Sequence, residues 1–211
     1  MSKQIYLFST SFHPDVISVN SLDITLLKPS INFCDYDYLI ITSKQAVRAL
    51  QQYDTTTFID KRALCISEVT AASFEEIDGT VLEVGSGYGD DLHKSVSQYP
   101  KKTKWLYLRA KKVASNFVET LTHEGYCIDE EIVYESKCSD EMKNIEIEDN
   151  AVLVFTSPSS INCFLQNNQI SLTNNVVVIG TTTGKSLPPG LTFNIAKENT
   201  IESCITLAKS L

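Results

Sequence analysis

Short runs of apolar residues punctuate the chain at Ile5–Phe8, Tyr38–Ile41, Ala63–Ile66, Val81–Val84, Lys104–Leu108, Ala151–Phe155 and Val176–Ile179. Most are continuous rather than alternating, which fits strands covered on both faces. Helical spacing recurs between them. Val113, Phe117 and Leu121 stand four apart within Lys112–Thr122, and Ile201, Cys204, Ile205, Ala208 and Leu211 form one stripe. Strand alternating with helix predicts an α/β fold with parallel sheets. Two stretches break the pattern. Gly125–Ser136 alternates Ile128, Glu130 and Ile132 and reads as extended. Leu22–Ile31 reads similarly, with Pro29 barring a continuous helix. The pair predicts a two-stranded linker.

Two segments recur. TSKQAVRAL at Thr42 resembles TSPSSINCFL at Thr156, an offset of 114, and CISEVTAAS at Cys65 resembles VIGTTTGKS at Val178, an offset of 113. The shared offset implies two similar halves of about 100 residues each. Two such lobes leave a cleft, the usual place for a ligand.

Composition narrows the classes. The 211 residues are 43% hydrophobic and 21% charged, enough apolar material for a real core. A net charge of −8 argues against a duplex nucleic-acid binder, so an anionic ligand must be held by local donors. The N-terminus has no long apolar stretch of the secretory kind, and no run approaches a membrane span, so a cytoplasmic protein is expected. Six cysteines at 34, 65, 127, 138, 163 and 204 show no C-x-x-C spacing. They read as small buried hydrophobes in a reducing compartment rather than as zinc or redox ligands.

Candidate chemistry gathers at strand-to-helix turns. Thr156-Ser157-Pro158-Ser159-Ser160 follows the strand at Ala151–Phe155 and offers hydroxyls and free N–H groups to a polar or anionic ligand. The same residues also make an ordinary helix cap with Pro at the first helical position. Gly180-Thr181-Thr182-Thr183-Gly184 repeats the theme, and Ser67 stands in the first half where Gly180 stands in the second. Arg109, Lys111 and Lys112 read either as cations facing an acidic ligand or as a solvated cluster, and Lys44 and Arg48 likewise. His13, His93 and His123 are scattered, with no HExxH pattern, so neither a metal site nor a Ser/His/Asp triad is supported.

Glu83 followed by Gly85, Gly87 and Gly89 resembles the first motif of methyltransferases that bind S-adenosylmethionine. That fold needs an acidic residue ending the next strand, about 20 positions on. Here the next strand ends in Arg109, Lys111 and Lys112.

Taken in order, YDYLIITSKQAVRAL from Tyr36, ALCISEVTAAS from Ala63, WLYLRAKKVASNFVETLTHEGYCIDEEIVYES from Trp105, AVLVFTSPSSINCFL from Ala151 and VVVIGTTTGKSL from Val176 resemble uroporphyrinogen-III synthases. The resemblance implies two similar flavodoxin-like lobes with parallel sheets, joined by a two-stranded β linker with a cleft between the lobes. Residues 1–28 with 136–211 would form one lobe and 29–135 the other, with linkers near 22–31 and 128–138. It implies no metal and no organic cofactor. The substrate would be hydroxymethylbilane, a linear tetrapyrrole, closed to uroporphyrinogen III with loss of water and inversion of ring D. Tyr134 matches the family's tyrosine in a VY motif and is the catalytic candidate. Thr42, Ser43, Thr70, Thr156, Ser157, Ser159, Thr182 and Thr183 match its substrate-holding hydroxyls, with Gly180 opening the last turn. A monomer in transient contact with hydroxymethylbilane synthase is expected, with no nucleic acid or membrane partner. Two features depart from the pattern: the region after the first strand is helix-poor, and Ser67 and Thr181 replace a glycine and a proline. A non-catalytic two-lobed tetrapyrrole-binding protein and the methyltransferase are the competing readings.

Overall fold

The elements form in the order β1 (Ile5–Ser9), β2 (Ile17–Asn20), β3 (Leu22–Leu26), β4 (Tyr38–Ile41), α1 (Lys44–Leu50), β5 (Arg62–Cys65), α2 (Glu68–Glu75), β6 (Thr80–Val84), α3 (Gly89–Ser97), β7 (Lys104–Ala110), α4 (Phe117–His123), β8 (Cys127–Cys138), β9 (Val152–Phe155), α5 (Pro158–Phe164), β10 (Asn175–Val178), α6 (Thr181–Gly184), β11 (Asn194–Ile195) and α7 (Ile201–Lys209). This is a computed structural model, and it describes residues 3–87, 89–113, 115–143 and 145–211. Tyr88, inside the glycine-rich stretch, lies outside the described residues.

The chain divides into two units, Met1–Asp23 with Lys137–Leu211, and Ile24–Ser136. Both divisions fall inside strands, β3 and β8, which are neighbours in one sheet. Residues 24–26 go with the second unit because Ile24 and Leu26 pack against its core.

Each unit holds one sheet. The first unit's order is β2-β1-β9-β10-β11, and the second unit's is β3-β8-β7-β4-β5-β6. The pairs β1–β2, β1–β9, β9–β10 and β10–β11 are parallel, as are β4–β5, β5–β6, β4–β7 and β7–β8. The central strands β4 and β9 are the two that begin the repeated segments. From each, the next two strands step one way, while β7 and β8, or β1 and β2, lie on the other side. The halves therefore share one topology, entered at different points along the chain.

Continuous apolar runs follow from this layering. Successive side chains of a strand point to opposite faces. In β9, Leu153 and Phe155 join one core cluster and Val152 and Val154 another, and all four are buried. In β4, Leu39 and Ile41 face one cluster and Ile40 another. Burying each such side chain stabilises the fold by about 1.5–3 kcal/mol. Phe8, Phe155 and Phe164 knit β1, β9 and α5 together, with ring centroids 4.9–5.4 Å apart.

Three expectations change. The helix in Lys112–Thr122 begins only at Phe117, and Val113 is exposed. The Lys111 N–H donates to the Tyr134 carbonyl at 2.9 Å, which ties Lys111 to β8 rather than into a helical turn. Two strands, β2 and β11, escaped the apolar pattern because β2 buries only Val19 and β11 is two exposed residues at a sheet edge. The cysteines are not six buried thiols. Cys138 at the end of β8 and Cys163 in α5 form a disulfide with Cα atoms 5.3 Å apart, and Cys34 and Cys127 are exposed. Only Cys65 and Cys204 are buried free thiols, and burial raises both pKa values. The helix-poor reading of the first unit holds: a turn, not an α-helix, joins β1 to β2.

Candidate active site

In open parallel sheets, ligands bind outside the carboxyl ends of the strands, where the winding direction reverses. In the second unit that point lies between β4 and β7. Thr42 and Ser43 follow the last residue of β4. Ser43 is extended and caps α1, its Oγ accepting from the Gln45 N–H at 3.1 Å. Thr42 Oγ1 lies 3.0 Å from the Tyr107 hydroxyl. Tyr107 belongs to the cluster on the Ile40 face of the sheet, whereas Tyr134 belongs to the cluster on the Ile41 face. The Tyr134 phenol lies close enough to Ser43 for that hydroxyl to act on its ionisation. Two tyrosines thus flank consecutive hydroxyls of one turn from opposite faces.

Their protonation follows from burial. Tyr107 is 4% exposed and Tyr134 9% exposed. Burial pushes both phenols above their ordinary value, while the Thr42 and Ser43 hydroxyls, which could turn to donate to an ionised phenolate, work in the other direction. Both therefore stay protonated at neutral pH and act as neutral hydrogen-bonding groups.

Three of the nearby cations have polar partners. Arg109 Nε lies 2.8 Å from Glu130, and Lys111 Nζ lies 2.9 Å from Glu135. Arg48 donates to the Gln45 side chain at 2.9 Å, and Lys44 is exposed. One turn further along the sheet, Thr70 is buried in the first turn of α2, its hydroxyl 3.2 Å from Ser67, the cap of that helix. Ser67 thus supplies a cap that glycine lacks.

In the first unit the reversal lies between β1 and β9. Thr156 follows β9, and its hydroxyl donates to the Phe8 carbonyl of β1 at 3.3 Å. Ser157 caps α5 in a reciprocal box with Ser160, and Pro158 opens the helix. Ser159 is exposed, and Ser160 is buried. After β10, Gly180 is the extended cap of α6; Thr182 is exposed and Thr183 is buried. At the ends of β1 and β2 a hollow of about 210 Å³ is lined by Ser9, Ser11, Ser18, Asn20 and Glu141. The sequence reading assigned nothing to this hollow, nor to Tyr107. Among the described residues, no group of three or more His, Cys, Asp or Glu could hold a metal ion.

The profile of the family described as Uroporphyrinogen-III synthase HemD matches residues 15–206. The chain belongs to the uroporphyrinogen-III synthase family. It is a cyclising hydro-lyase of haem biosynthesis, and uroporphyrinogen III is its product. The fold agrees. A uroporphyrinogen-III synthetase from Helicobacter pylori is similar at 23% identity over 99% of each chain, with a TM-score of 0.82. A uroporphyrinogen III synthase from Thermus thermophilus is similar at 11% identity over 98% of each chain, with a TM-score of 0.65. No curated protein matches significantly in sequence.

Membership of this synthase family leaves the glycine-rich stretch a structural role. In a dinucleotide-type site the strand before the loop lies near the sheet's reversal. Here β6 is an edge strand paired with β5, and both β5 and β4 stand between it and β7. Glu83 accepts a hydrogen bond from Ser95 of α3, which fastens helix to strand. The methyltransferase reading is not favoured, nor is a binding protein without chemistry. No helix among the described residues is long and apolar enough to cross a membrane.

Proposed function

We propose that the enzyme takes hydroxymethylbilane as substrate and that Tyr134 is the catalytic residue. The observation that carries this is the buried Tyr134 phenol beside Ser43, near the point where the second sheet reverses its winding. The reaction breaks the bond to the terminal hydroxyl, which leaves as water with one added proton. The resulting azafulvene cation is attacked by ring D, and the chain closes through a spiro intermediate. The pyrrole carbon that forms the last bond releases a proton, so the overall change is loss of water. A phenol raised above its usual pKa of about 10 is too weak an acid for full proton transfer in the ground state. Tyr134 acts as a neutral donor that strengthens its hydrogen bond as the hydroxyl departs. The rest is positioning of a long chain so that ring D closes in the inverted sense.

Eight carboxylates on the substrate call for many donors, because the protein's own charge of −8 opposes binding. Thr42, Ser43, Thr156, Ser157, Ser159 and Thr182 are at least partly accessible beyond strand ends, and Gly180 opens the last turn. These are the proposed holding groups. Thr70, in the turn after β5, and Thr183, in the turn after β10, are buried and support those turns from behind. The enzyme is read as a cytoplasmic monomer that receives its substrate through transient contact with hydroxymethylbilane synthase. That handover limits the uncatalysed closure to the I isomer.

The test couples the protein to hydroxymethylbilane synthase and separates the product isomers. Uroporphyrinogen III is expected to replace uroporphyrinogen I. A product that is only the I isomer refutes the proposal.

A further inference from the structure

The Thr42 and Thr156 turns are equivalent in the repeat, yet their hydroxyls meet different partners. Thr156 donates to the Phe8 carbonyl, so its proton is committed to the backbone. Thr42 instead meets the Tyr107 hydroxyl. Among the described residues Thr42 is the hydrogen-bond partner recorded for that phenol, which sits 4% exposed among Ile40, Trp105 and Phe117. A buried phenol must place its proton somewhere, because an unpaired buried donor costs about 1–3 kcal/mol. A phenol is also a far stronger acid than an alkyl alcohol, hence the better donor and poorer acceptor of the two. The proton between them therefore belongs to Tyr107, and Thr42 Oγ1 accepts. A threonine hydroxyl carries one proton. With Tyr107 occupying an acceptor position of Oγ1, the Thr42 proton is free to turn outward.

We infer that Tyr107 is a positioning residue, which by donating to Thr42 Oγ1 aims the Thr42 proton at a carboxylate of the bound tetrapyrrole. The inference rests on the proposal that Thr42 holds substrate. It makes the two halves unequal: Thr42 is a donor to an anion, and Thr156 is fitted only to accept from a ligand. It also separates the tyrosines. Tyr134 serves the leaving hydroxyl, and Tyr107 serves binding. Loss of Tyr107 leaves Thr42 free to donate to the protein or to water and to present its lone pairs, rather than its proton, to the carboxylate.

The experiment measures KM and kcat for formation of the III isomer with Tyr107→Phe, Thr42→Val, the double variant and Thr42→Ser. Tyr107→Phe keeps the ring that packs on β4, and far-UV circular dichroism and thermal melting check that each variant folds. Tyr107→Phe is expected to raise KM by about 5- to 10-fold with kcat within 2-fold, the size of one hydrogen bond and the signature of lost binding common to ground and transition states. Thr42→Val is expected to raise KM at least as much. In the Thr42→Val background Tyr107→Phe is expected to add nothing, because its effect passes through Thr42. Thr42→Ser, which keeps the hydroxyl, is expected to restore KM to within 2-fold. Unchanged KM in Tyr107→Phe beside a raised KM in Thr42→Val overturns the role of Tyr107 while leaving Thr42 as a binding residue. Additive effects, or a fall in kcat, also overturn it. Unchanged KM in Thr42→Val refutes the substrate contact itself and the inference with it.

Discussion

The Cys138–Cys163 bond lends itself to a quantitative test. It closes a loop across a sequence separation of 25 that contains β9 and the Thr156–Ser160 turn. In the chain-entropy account, cross-linking such a loop removes about 12 cal/mol/K from the unfolded ensemble, or about 3.5 kcal/mol at 25 °C. The perturbation is reduction of the wild-type protein by a phosphine, paralleled by a Cys138→Ala/Cys163→Ala variant. Two measurements read it. Thiol titration of the denatured, unreduced chain is expected to find four thiols, rising to six after reduction. Urea denaturation, followed by circular dichroism, is expected to show the oxidised form more stable by about 2–4 kcal/mol, the usual span for such a cross-link. The alanine variant is expected to match the reduced protein and to be insensitive to the phosphine. Six thiols in the unreduced chain, or identical denaturation midpoints with and without reductant, refute the reasoning.

Tyr134→Phe is expected to lower kcat for the III isomer by about 10²-fold with an unchanged circular dichroism spectrum, in line with loss of one hydrogen-bond donor that acts in the transition state; undiminished turnover removes Tyr134 from the mechanism. Gly79→Ala places a Cβ 2.5 Å from the fully buried Phe74 ring, so the ring must shift. A loss of about 1–3 kcal/mol by urea denaturation is expected, and a neutral result shows that the ring moves freely. Burial pushes Tyr36 and Tyr53 up to about 12, with Asp129 accepting from Tyr36 and adding to its shift. Because the folded values lie above the unfolded value of about 10, their contribution is complete below pH 10 and is lost as pH rises toward 12. Denaturation midpoints are expected to be insensitive to these groups up to pH 10 and to fall above it as absorbance near 295 nm rises; a fall that begins well below pH 10 without that absorbance change assigns the loss to other groups.

The candidate site's turns were legible because their determinants are local. A strand, two hydroxyls and a helix start lie within a dozen residues at Tyr38–Leu50 and again at Ala151–Leu165, and the recurrence at one offset exposed the repeat. Tyr134 was found through its motif, not through its surroundings. Tyr107 was invisible: in sequence it is one more aromatic in a strand, and its partner Thr42 is 65 residues away. Ser67 reads as a departure from glycine, and only the geometry turns it into the cap of α2.

The sequence by itself determined the α/β class, the central strands and the duplicated turns. Continuous apolar runs can be satisfied only between two covered faces, and capping residues act within one helical turn. The tertiary structure decided which strands neighbour one another, and hence where each sheet reverses. It also decided that Cys138 meets Cys163, and that Thr42 meets the Tyr107 hydroxyl whereas Thr156 meets the Phe8 carbonyl. Those outcomes depend on groups brought together across 25, 65 and 148 positions. A residue's period and propensity describe its own neighbourhood, whereas a hydrogen bond or disulfide also needs a partner that only the folded chain supplies.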